Sequence, residues 1–174
     1  MRVQQLILKN RADIDAVLAP LAAMQPQLVL VFGACAYFST PELTAALRRQ
    51  LPGAVIAGCS TAGEIAGKRV YDGSCVITAI GFAHTAVAIA DAIIYDMADS
   101  HEAGQRLAQA LPQDGLTAVF MLGTGVAING SALIAGLQAH LPPGVTISGG
   151  LAADGGAFRQ TWTPGPRGAA DNAT

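Results

Sequence analysis

The chain has 174 residues, of which 52% are hydrophobic and 13% charged, with a formal net charge of −2. That length suits one domain, since a core of this size buries roughly two thirds of the surface its unfolded chain exposes. Ten Lys and Arg against twelve Asp and Glu, scattered in ones and twos, give no basic face for phosphates, which argues against a nucleic-acid partner.

No run approaches the ~20 apolar residues that a membrane-spanning helix requires. The apolar excess therefore points to buried strands or to a subunit interface, and so to a homo-oligomer. The opening "MRVQQLILKNRADID" lacks the continuous apolar core and cleavage site of a secretory signal, which leads to an expected cytoplasmic location.

In chain order, helix-period residues at 12–24 precede the apolar run "LVLVFG" at 28–33, read as a buried strand. A helix over 41–50 follows. Ser39 is spaced as its N-cap to Glu42 in a capping box, and Thr40 ahead of Pro41 is an equally good cap. Further strands are expected at 54–58, 75–82, 117–123 and 145–150, with helices at 101–111 and 131–140. Residues 84–94 alternate small and branched side chains and are expected to pair with the preceding strand as a hairpin. The alternation of strands and helices indicates an α/β, or mixed α+β, domain.

A repeat runs through this order. "LVLVFGACAYFSTPELTAALRRQLPGAVIAGCSTAG" lies over "AVFMLGTGVAINGSALIAGLQAHLPPGVTISGGLAADG". At an offset of 90 residues Gly33 meets Gly123, Leu43 meets Leu133, Leu47 meets Leu137 and Pro52 meets Pro142. One inserted residue moves the offset to 91, at which Ile56 meets Ile147 and Gly58 meets Gly149. The matches preserve element order and not merely composition, so a pseudo-symmetric pair of strand-helix-strand units is expected, with a buried sheet and flanking helices. The first half continues through "KRVYDGSCVITAIGF", whereas the second continues through "FRQTWTPGPRGAADNAT", which contains no second apolar strand. The expected organisation is a domain over 1–163 with an incomplete second half, and a disordered tail over 164–174.

The stretch "AGCSTAGEI" at 57–65 gathers the residues that could carry chemistry. It departs from the G-x-S-x-G pattern of a nucleophile turn, because Ala62 stands where the second glycine belongs. Cys59 is a thiolate nucleophile if a helix start lowers its pKa, and a packed inert thiol otherwise. The candidate bases His84, His101 and His140 carry no local signature. Neither phosphate-cradling glycine pattern is present. What remains is a set of backbone amides with Ser60 and Thr61, able to donate to a polar ligand, and Glu64, able to face a cation. The alternative is that Gly58 and its neighbours only let the chain turn and pack.

The repeat places "SGGLAADGG" opposite this turn, so Gly149, Gly150 and Asp154 join Gly58, Cys59, Ser60, Thr61 and Glu64 as ligand-binding candidates, two strand ends converging on one crevice. Asp154 is equally a solvent-facing turn residue before Gly155. Cys35, Cys59 and Cys75 are odd in number and widely spaced, as for reduced thiols rather than a zinc site. A haem would take His84, between strands, as its axial ligand.

"LVLVFGA", "LPGAVIAGCSTAGEIAG", "DGSCVITAIGF" and "LPPGVTISGGLAADGGAFRQTW" together resemble the FIST N-terminal domain family over residues 25–163. The resemblance implies a non-enzymatic sensory module that binds small ligands such as amino acids. It further implies partners among histidine kinases, cyclic-di-GMP enzymes and chemotaxis proteins, and some members resemble haem-based nitric oxide sensors. The ligand-facing turns it implies are 58–64 and 149–155. After the fourth strand the family pattern has an Asp-Gly pair where this chain reads "GTGVAING".

Overall fold

The computed structural model describes residues 1–165 and the backbone of 168–170. The first half contains β1 (Arg2–Leu8), α1 (Ile14–Ala22), β2 (Leu28–Gly33), α2 (Glu42–Gln50), β3 (Val55–Ser60), β4 (Glu64–Ala66), β5 (Arg69–Tyr71) and β6 (Cys75–Gly81). The second contains α3 (Ser100–Ala110), β7 (Ala118–Gly123), α4 (Gly130–His140), β8 (Thr146–Leu151), β9 (Thr163–Gly165) and β10 (Gly168–Ala170). The fold is mixed α/β.

A four-stranded sheet runs in the order β1-β6-β2-β3. β2 and β3 are parallel, from Leu28 opposite Val55 to Gly33 opposite Ser60, as a strand-helix-strand crossover requires. β6 is antiparallel to both β1 and β2. β7 and β8 form a separate parallel pair, from Ala118 opposite Thr146 to Gly123 opposite Leu151. The bounds of β7 are those of β2 displaced by 90 residues, and those of β8 are those of β3 displaced by 91.

Each unit has its own core. Val29 and Val31 of β2, with Leu43 and Leu47 of α2, close on Leu18, Leu21, Ile77 and Leu8. Met121 of β7, with Leu133 and Leu137 of α4, closes on Ala103, Leu107, Ala92 and Ile94. The second core is thinner, and its two helices compensate by approaching at backbone distance. A Cβ on Gly104 would overlap the Leu133 carbonyl oxygen, and one on Gly136 the His101 carbonyl oxygen, so only glycine permits the contact.

The structure departs from expectation in several places. Neither β1 nor the antiparallel β4–β5 pair was foreseen, and no helix starts at the turn after β3. β6 uses one edge for β1 and the other for β2, which leaves no edge for a hairpin with 84–94; residues 84–92 carry no ladder. The Ser39 capping box does not form, because the hydroxyl donates to the Ala36 carbonyl oxygen at 3.2 Å. Glu42 is hydrogen-bonded by the Thr40 side chain instead, which holds its carboxyl below the usual range. Within the segment expected as a tail, β9 pairs antiparallel with β10; residues 166–167 and 171–174 lie outside the described residues. Among the described residues no helix is long and apolar enough to cross a membrane.

Candidate functional site

The two glycine turns meet. Each begins where two parallel strands lie so close that a side chain is excluded: a Cβ on Gly58 would overlap the carbonyl oxygen of its ladder partner Val31, and one on Gly149 that of its partner Met121. The chain then leaves each pair in the same manner, Thr61 N donating to Gly33 O at 3.0 Å and Ala152 N to Gly123 O at 2.8 Å. Ser60 joins the two. Its carbonyl oxygen accepts from Ala153 N at 2.8 Å and its amide donates to Trp162 O at 2.8 Å. Its hydroxyl accepts from Trp162 N at 2.9 Å. Ser60 is fully buried, so these bonds satisfy every polar group it has in a place that water does not reach.

The other candidate side chains are also engaged internally. Glu64 is 1% exposed. One carboxylate oxygen accepts from the Thr61 hydroxyl at 2.7 Å, the other from the Ser74 amide at 3.0 Å and hydroxyl at 2.8 Å. It ties the turn to the start of β6 and faces no open space. Cys59 is buried with no base beside it, and burial pushes its thiol up to about 12. Such a thiol is protonated at neutral pH, which removes the activation a nucleophile needs. Cys75 is likewise pushed up to about 12, by burial first and then by the Glu64 carboxylate. Gly150 has open space where a side chain would go.

Asp154 organises the loop after the second turn. Its carboxylate accepts from the amides of Phe158 at 2.9 Å, Arg159 at 2.7 Å and Gln160 at 3.2 Å. These bonds, that from Arg159 foremost, hold its carboxyl below the usual range. Phe158 sits at φ 53 within the wrap, a left-handed conformation that a bulky residue adopts only when the surroundings impose it. A cavity of about 280 Å³ opens between this loop and the segment after β2, lined by Cys35, Ser39, Asp154, Arg159, Gln160 and Trp162 among others. The Cys35 sulfur lies 3.7 Å from both Ala153 O and Gln160 O. Of these residues only Asp154 was among the ligand-binding candidates read from the sequence; Cys35 was read as a reduced thiol and Ser39 as a helix cap. "FRQTW" looked like a lead into a tail because its role depends on a fold-back onto Ser60, about a hundred residues earlier.

His84 is exposed on the loop after β6 and lines neither cavity. The larger groove, about 430 Å³, is lined without any His, Lys or Arg, so it offers neither a histidine ligand nor a cation for propionates. His84 therefore stands at neither cavity as a haem ligand, and the described residues include no cluster of three or more potential metal ligands.

A family model for the FIST N domain matches residues 27–173. The chain belongs to the FIST N domain family. As a FIST N domain it is a sensory domain of signal transduction. The match spans both strand-helix-strand units and both turns. Comparisons with curated proteins and with solved structures returned no match.

Proposed function

We infer that this FIST N domain is a cytoplasmic, non-catalytic sensor that holds a small ligand in the 280 Å³ cavity beside the joined turns. The observation that carries this reading is the convergence of both turns on Ser60, which ties the loop over 154–162 to the end of β3, while Cys35 meets the same loop from the segment after β2 across an open depression. The wall is mixed. Trp162 supplies apolar surface, Arg159 a planar cationic fork and Ser39 a hydroxyl. That set suits a carboxylate-bearing molecule of amino-acid size, whose anionic end pairs with the guanidinium. Occupancy would tighten the Asp154 wrap and alter the surface offered to an output partner of the histidine kinase, cyclic-di-GMP or chemotaxis class.

Trp162 is the chain's single tryptophan, so its emission reports directly on the cavity. Titration with amino acids and small carboxylates should change that emission and raise the melting temperature together, and Arg159→Ala should weaken the binding at least about tenfold. Silence from the whole panel at millimolar concentration, or full retention of binding by Arg159→Ala, would overturn the assignment.

A further inference from the structure

The loop between β8 and β9 has both of its ends pinned to one residue. Ala153 N donates to the Ser60 carbonyl oxygen, and Trp162 exchanges two bonds with Ser60, accepting from its amide and donating to its hydroxyl. A further tie runs from Gly125 N, in the segment after β7, to the hydroxyl of the buried Thr161 at 2.8 Å. Between these ends the Asp154 carboxylate gathers the amides of Phe158, Arg159 and Gln160. A surface loop whose ends meet, and whose body is held by its own groups, is built to move as one piece.

Burial says where such a piece gives way. Residues 155–160 are exposed, and Phe158, the one large apolar side chain among them, is 80% exposed. Trp162 is only half-buried, at the margin of the first core. By contrast β2 and α2 send Val29, Val31 and Leu47 fully into that core. Segments that bury little apolar surface open at a small fraction of the free energy that unfolds a core. Cys35 lies at the neck of the loop, its sulfur 3.7 Å from Ala153 O on one limb and from Gln160 O on the other.

We propose that residues 153–162 form a gate that lifts off Ser60 as a unit while both cores stay folded. The loop supplies Asp154, Arg159, Gln160 and Trp162 to the 280 Å³ cavity, and the segment after β2 supplies Cys35 and Ser39. Lifting the loop therefore parts the two sides of the cavity and uncovers the Cys35 sulfur. That a ligand touching both sides holds the gate shut rests on the sensor reading given above. The lifting itself belongs to the empty chain and is measured without ligand, so it fails or stands separately from ligand binding.

Native-state hydrogen exchange of the full chain is the test. The amides of Ala153, Phe158, Arg159 and Gln160 should share one opening equilibrium, at least about a hundredfold more open than the best-protected amides of β2 and β7 and less sensitive to urea. Ser60→Ala removes the hydroxyl that receives Trp162 N, and Thr161→Val the one that receives Gly125 N; neither takes the acceptor from any of the four amides. Each variant should nonetheless speed all four together, by at least about fivefold. Labelling of Cys35 by a bulky disulfide reagent should quicken by the same factor, with Cys59 and Cys75, both buried, remaining slow. The proposal is overturned if the four amides carry the protection and urea dependence of the cores in the unaltered chain. Unequal responses among the four, or one rate of Cys35 labelling in all three proteins, would overturn it as well.

Discussion

Replacing Glu64 with alanine tests whether its carboxylate is a structural acceptor or a ligand group. In the folded protein one oxygen receives both the amide and the hydroxyl of Ser74, which is 2% exposed. Removing the acceptor strands two buried donors, and each costs about 1–3 kcal/mol because no water replaces the lost partner. The Thr61 hydroxyl is only half-buried and finds water, so Glu64→Ala should destabilise by about 4 kcal/mol, a large share of the 5–15 kcal/mol typical of a domain. Glu64→Gln presents its amide oxygen to Ser74 and its amino group to Thr61, whose hydroxyl can turn to accept. The expected loss there is about 1 kcal/mol. Urea unfolding monitored by circular dichroism, with an unchanged slope across the three proteins, measures both differences. Equal losses for Ala and Gln would mean that charge rather than hydrogen bonding matters at this position, and a loss below about 1 kcal/mol for Ala would refute the argument altogether.

Two further outcomes follow from the same geometry. Gly58→Ala and Gly149→Ala each force a Cβ into a carbonyl oxygen and should cost at least about 2 kcal/mol, more for Gly149, which also sits at φ 143. Gly150→Ala, with open space at its Cβ, should cost under about 1 kcal/mol; parity among the three in thermal melts would contradict the close approach of the paired strands. Asp154 titrates below its ordinary value, so its contribution is complete above the unfolded value of about 3.9 and is lost as pH falls through the lower folded value. Trp162 emission should therefore show an acid transition below about pH 4 that Asp154→Ala abolishes, and an identical transition in both proteins would remove Asp154 as its origin.

Much of the fold was legible because the strands of a parallel pair are apolar on both faces and stand out as runs. β2, β6, β7 and β8 lie within a residue or so of their expected places. β1 was not legible: "RVQQLIL" mixes polar and apolar positions, and only Leu8 becomes fully buried. The hairpin expected at 84–94 failed for a tertiary reason, since local alternation carries no information about which strand already occupies the edges of β6. The site was legible in part. The relation of the two turns could be read from the repeat, but Ser60, Glu64 and Asp154 turned out to be bonded to neighbouring protein groups. Hydroxyls and carboxylates near glycine look alike in sequence whether they serve a ligand or the turn itself. The cavity residues Cys35, Arg159 and Trp162 belong to segments more than a hundred residues apart, and no spacing rule connects them.

The Ser60 joint also constrains how the molecule folds. Its bond to Trp162 spans 102 residues, and the entropy of closing a loop grows with its length, so the contact is unfavourable until the intervening chain has condensed. Each strand-helix-strand unit, by contrast, closes over a few tens of residues and can form early on its own local contacts. The joint is then the last piece to form and the first to open. Its exchange rate reports the docking of the two halves, separately from the folding of either.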